Sequence, residues 1–210
     1  MKTSKAFSGA VLALTLALPY SIAQAEPGAA NLNLFAGQKQ LDSDDWSPID
    51  EQTSVGISID YEPEGWWLGA TVGVYNGTAD ESVTFADTTG GANPNPGELT
   101  SDTWELSIGP KKVFKIPGAP VRAYVGGGYS YMSVTYVERE FDTDTSTSYK
   151  RRASDSGHGV WASTGVFVTL AETINLGLEG RISRGEVDLN GFDAEAGGDY
   201  LGAIVGLHFQ

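Results

Sequence analysis

Apolar side chains recur at every second position in eight separate stretches between residues 31 and 209, and no stretch carries the 3.6-residue period of an amphipathic helix. The apolar members are Leu32, Leu34 and Ala36; Val55, Ile57, Ile59 and Tyr61; Trp66, Leu68, Ala70, Val72 and Val74; and Trp104, Leu106 and Ile108. They continue with Val121, Ala123, Val125, Tyr129 and Tyr131; Val160, Ala162, Val166, Val168 and Leu170; Ile174, Leu176, Leu178 and Ile182; and Leu201, Ala203, Val205, Leu207 and Phe209. A period of two puts successive side chains on opposite faces of a strand, so the pattern predicts eight β-strands. Short links with turn residues, Glu62-Pro-Glu-Gly65, Lys115-Ile-Pro-Gly-Ala-Pro120 and Ala171-Glu-Thr173, alternate with long polar links at roughly 40–53, 77–102, 138–156 and 186–199. That alternation describes an all-β, antiparallel up-and-down meander with its long links at one end.

The positions between the apolar ones decide which face looks outward. They are mostly Gly, Ser, Thr and aromatic, with few charges of either sign, where the exterior of a soluble barrel would be rich in Lys and Glu. Such a face suits a narrow interior, with Trp67, Tyr124, Trp161, Phe167 and Tyr200 filling it and Glu105, Lys111, Arg122, Glu179 and Arg181 forming a paired charge network inside. The apolar face then points into lipid. Tyr61, Trp66 and Phe209 at the short-turn end and Trp104, Tyr129 and Tyr131 toward the other end would form its two aromatic girdles.

Composition narrows the setting. Lys2 and Lys5, an apolar run over 10–18, Pro19 and the Ala23-Gln-Ala25 site match a cleaved signal peptide spanning residues 1–25, leaving 26–210 as the barrel domain. No later run is long and apolar enough for a membrane-spanning helix. The absence of Cys excludes disulfides and Cys-based metal or redox sites. A formal net charge of −14 argues against nucleic acid as a partner. Most of the acids fall in the four long links.

With the signal, the eight-strand meander and a last strand Tyr200-Leu-Gly-Ala-Ile-Val-Gly-Leu-His-Phe209, the chain resembles the small bacterial outer-membrane β-barrel proteins of the OmpA/OmpX/OmpW type. The resemblance implies a monomeric eight-stranded transmembrane barrel in the outer membrane of a Gram-negative bacterium, with short turns in the periplasm and long loops outside. It also implies outer-membrane lipid and lipopolysaccharide as surroundings, and an assembly machinery that reads the terminal aromatic Phe209, here followed by Gln210. No cofactor is expected.

Candidate chemistry is sparse. Lys150, Arg151 and Arg152 in the third long link are placed to meet lipopolysaccharide phosphates, since guanidinium matches phosphate bidentately, or to balance neighbouring acids. Asp42-Ser-Asp-Asp45 and Asp142-Thr-Asp144 offer hard oxygen ligands but lack the Gly and terminal Glu of a calcium loop, so no metal site is assigned. A lipid A-modifying hydrolase would need a Ser beside a His held by a carboxylate. His158 is followed two residues later by Val160, and His208 lies at the short-turn end, so the expectation is a structural or surface-interaction protein without catalytic activity. The alternatives are a lipid A-modifying enzyme, for which His158 with Asp155 and Ser156 would have to be assembled by folding, and a narrow pore for small or hydrophobic solutes.

Overall fold

The computed structural model describes residues 28–85, 95–116, 119–143, 146–189 and 191–209. The signal segment 1–25, Asp144 and Gln210 lie outside these residues. The strands are β1 (Ala29–Gln40), β2 (Glu51–Glu62), β3 (Gly69–Phe85), β4 (Asn95–Lys115), β5 (Val121–Asp142), β6 (Thr147–Leu170), β7 (Ile174–Asp188), β8 (Asp193–Glu195) and β9 (Gly198–Phe209). One helical turn, α1 (Ser43–Trp46), lies between β1 and β2. Every pairing is antiparallel. Neighbours in sequence pair from β1 to β7, and β9 pairs with both β7 and β1, closing a ring of eight strands. The short β8 pairs only with β7, outside the ring. Closure satisfies the backbone of every ring strand on both sides, which is what a strand must achieve in lipid.

The ring is apolar outside. Leu34, Ile57, Val72, Leu106, Ile108, Val160, Leu178 and Val205 are exposed, while Asn33, Ser54, Asp60, Ser107, Ser163 and Asn175 are buried. Tyr61, Trp66 and Phe209 are exposed at the short-turn end. Trp67 departs from the expected interior position and is 73% exposed. The strand begins only at Gly69, and the Pro63–Gly65 turn before it, with Gly65 at φ +74°, resets the alternation, so Trp67 joins Trp66 on the outside.

The long links are the main departure from the sequence reading. Much of the second and third is strand. β3 and β4 stay paired to Phe85 and Asn95, and β5 and β6 to Asp142 and Thr147. β6 loses its β7 neighbour above Gly159, so the β5–β6 ribbon runs on roughly 40 Å further at the rise of a strand. Within this four-stranded extension the amphipathic phase inverts. The side chains turned to the barrel axis are now the apolar ones, Ala79, Leu99, Met132 and Val134, all buried. Leu41, Trp46 and Ile49 from the α1 region and Val187, Ala194 and Ala196 from the β7–β9 link fold over the mouth and pack on them as one apolar cluster. The two links are locked together at Glu195, whose backbone N–H donates to Asp45 Oδ2 at 2.9 Å and whose carbonyl accepts from Trp46 Nε1 at 2.7 Å.

Candidate functional site

The barrel lumen is filled in layers. At the short-turn end Asn175 donates to Asn31 Oδ1 at 2.9 Å, and His208 Nδ1 lies 2.9 Å from the same oxygen. Above them Lys111 Nζ pairs with Asp60 Oδ2 at 2.7 Å, Asn33 donates to that oxygen at 2.8 Å, and the ammonium sits 3.9 Å from the Tyr124 ring centre. In the next layer Glu179 accepts from the Tyr75 hydroxyl at 3.2 Å and from the Tyr124 hydroxyl. Arg181 then pairs with Glu105 between the rings of Tyr75 and Trp161, at 4.3 and 4.4 Å from their centres, and Tyr200 donates to the other Glu105 oxygen at 2.8 Å. Topmost, Lys39 Nζ donates to Thr103 Oγ1 and the Ala196 carbonyl, each at 3.1 Å, directly beneath the apolar cap.

Of the residues expected in the interior network, Glu105 and Arg181 meet each other. Lys111 meets Asp60, and Glu179 is held by tyrosine hydroxyls. Arg122 is half-exposed at the short-turn end, in register with Lys115 and Phe167, below the buried charges. Lys39 and Tyr75 belong to the interior but were not singled out in the sequence. Continuing the alternation from Asn33 and Phe35 reaches Lys39, and from Thr71 and Gly73 reaches Tyr75, so the signal was there in the period.

The basic cluster of the third link is split, because the segment is strand. Arg151 shares a face with Ala153 and Asp155 and lies 3.4 Å from Glu138, while Lys150 and Arg152 alternate to the other face beside Arg139 and Val137. His158 stands on the outer face, stacked on Tyr129 at 5.6 Å with the Tyr129 hydroxyl on its Nδ1, and 5.4 Å from Tyr131. Asp155 lies on the opposite face, where its carboxylate accepts from the Asp188 N–H at 2.8 Å. That backbone donor, together with the Ser156 N–H, holds the Asp155 carboxyl below its ordinary value. Asp155, Ser156 and His158 are therefore not brought together as a charge-relay set. The acids of the first link also have local work: Asp42 caps α1 through the Asp44 N–H at 2.9 Å, and Asp45 holds Glu195. Among the described residues no group of three His, Asp or Glu side chains converges as a metal site.

A concavity of about 320 Å³ lies outside the barrel, between the α1 region, the β7–β8 link and the inner face of the four-stranded extension. Trp46, Ile49, Leu99, Tyr136, Leu189 and Phe192 supply its apolar walls. Asp45 stands on one side, and Glu138 and Arg151 stand on the other. Partial burial and the neighbouring Glu138 push the Tyr136 hydroxyl above its ordinary pKa, so it stays a neutral donor at physiological pH.

No family model and no curated protein sequence matches the chain. Solved structures do. The outer membrane protein OprG from Pseudomonas aeruginosa aligns with a TM-score of 0.54 at 9% identity, over 90% of this chain and 100% of that one. Ail, the attachment invasion locus protein of Yersinia pestis, aligns at 0.50 and 14% identity over 88% and 100%. Neisserial surface protein A aligns at 0.50 and 14% over 87% and 97%. With its outward apolar belt and closed ring, the protein has the fold of the small eight-stranded outer-membrane β-barrels.

Proposed function

We propose that this protein is a monomeric, non-enzymatic outer-membrane barrel whose working surface is its crown, a rigid acidic sheet and lid presented outside the cell in a structural or surface-interaction role. The observation that carries this reading is the double closure of the lumen, by the layered charges from Lys111 to Lys39 and by the apolar cap around Trp46 and Val134. A filled lumen leaves no solute path, so only the outside of the molecule is free to act.

Lys150 and Arg152, on the outer face of β6 above the aromatic positions Tyr131 and His158, are assigned to lipopolysaccharide phosphates, with Arg139 and Arg184 nearby on the same face. Arg151 is assigned to the opposite face. Phe209, exposed at the end of β9, is the residue the assembly machinery would read. Ail has been solved with the heparin analogue sucrose octasulfate, a sulfated ligand on a barrel of the same fold. That precedent supports anion contacts by a barrel of this fold.

Two experiments test this reading. The purified protein, inserted into a planar bilayer with insertion verified, should give no discrete conductance steps; reproducible steps would establish a pore and overturn the closed-lumen argument. Lipid A from cells with and without the protein should have identical masses. An acyl loss or gain that disappears in His158→Ala would make the protein a lipid A-modifying enzyme instead.

A further inference from the structure

The crown pocket is built differently from the rest of the acidic exterior. Its walls are apolar and aromatic, and its rim carries both signs of charge on facing sides. Asp45 stands on the α1 wall and Arg151 stands on the sheet wall. Asp45 uses one carboxylate oxygen on the Glu195 N–H and, among the described residues, forms no ion pair. Arg151, 77% exposed, engages Glu138 through one guanidinium nitrogen at 3.4 Å, leaving further N–H donors over. The volume of about 320 Å³ is at the small end of ligand pockets, which run from about 300 to 1,000 Å³.

An apolar body alone would leave the rim charges facing each other across the opening. An anion would meet Asp45 and Glu138, and a cation would meet Arg151. A ligand with both charges at one end of a flat apolar body satisfies all of them, with its carboxylate toward Arg151 and its ammonium toward Asp45. We propose that this pocket binds a zwitterionic ligand with an aromatic body, of the class of a free aromatic α-amino acid. Trp46, Tyr136 and Phe192 offer the ring faces and edges against which that body stacks. Trp46 and Asp45 are also the residues that clamp Glu195, so the pocket floor is held by the same contacts that hold the lid.

The test uses the whole barrel in lipid nanodiscs, with empty nanodiscs as the blank, and titrates L-tryptophan, L-tryptophanamide and N-acetyl-L-tryptophan by calorimetry. The zwitterion should bind saturably at one site and at least about tenfold more tightly than either singly charged analogue. Asp45→Asn keeps an acceptor for Glu195 and should remove the preference over N-acetyl-tryptophan. Arg151→Gln should remove the preference over the amide. Phe192→Ala should weaken all three probes, and Arg139→Gln, on the other face of the sheet, should change none. Heat no greater than that of empty nanodiscs, equal affinity for the three probes, or binding untouched by Phe192→Ala would each overturn the proposal. The ranking of the three probes on the unaltered protein decides it even if a variant fails to fold.

Discussion

Arg181→Met should destabilise the folded barrel by about 3–5 kcal/mol, read from the urea unfolding midpoint in lipid vesicles. Arg181 and Glu105 are 1% and 2% exposed, so the guanidinium has traded water for one carboxylate and two aromatic faces. Taking it away leaves Glu105 buried with the Tyr200 hydroxyl and, among the described residues, no ion-pair partner, and that orphaned charge is the source of the cost. The double variant Glu105→Leu/Arg181→Met removes the orphan and should recover most of the loss. A single variant within about 1 kcal/mol of the unaltered protein would show that the pair is wet or dispensable. Glu179 is a different case. Two tyrosine hydroxyls hold it, one on each oxygen, so a neutral Gln in its place can accept from one and donate its NH2 to the oxygen of the other.

Trp46→Ala should open the lid and leave the barrel intact. The indole is buried among Leu41, Ile49 and residues of the β7–β9 link, and its N–H is spent on the Glu195 carbonyl. Truncating a buried Trp costs about 3–5 kcal/mol. Here that loss falls on two links with no ladder to the ring except β8 on β7. Amide hydrogen exchange at Ile49, Ala194 and Ala196 should therefore accelerate by about 10²–10³-fold, while the β1–β9 and β6–β7 ladders keep their protection. Equal acceleration throughout would mean that lid and barrel unfold as one unit.

The eight membrane strands and their order were legible because alternation is local: Ile57, Ile59 and Tyr61 mark an outward face without reference to any other strand. The extension of β3–β6 was not legible in the same way. Above the ring the solvent on the outer face changes from lipid to water, so polar residues move outside and apolar ones inside. The period of two persists while its phase flips between Tyr131 and Met132. Read as the end of an apolar face, that flip looks like the start of a loop. Trp67 failed for the opposite reason, since a turn interrupts a pattern that composition alone continues through it.

The amino-acid sequence by itself determined a closed, cysteine-free meander with its apolar side outward and its acids gathered at one end, because each of these follows from periodicity or position along the chain. Only the tertiary structure decided which buried charges meet, and that Arg122 lies below them. Glu105 and Arg181 are 76 residues apart, and Lys111 and Asp60 are 51 apart. A closing ring brings such residues to one height through strand register, which no local pattern encodes. The same holds for the crown pocket: Trp46 and Phe192 come from two links and Tyr136 from β5, and they line one cavity only once the lid has folded onto the sheet.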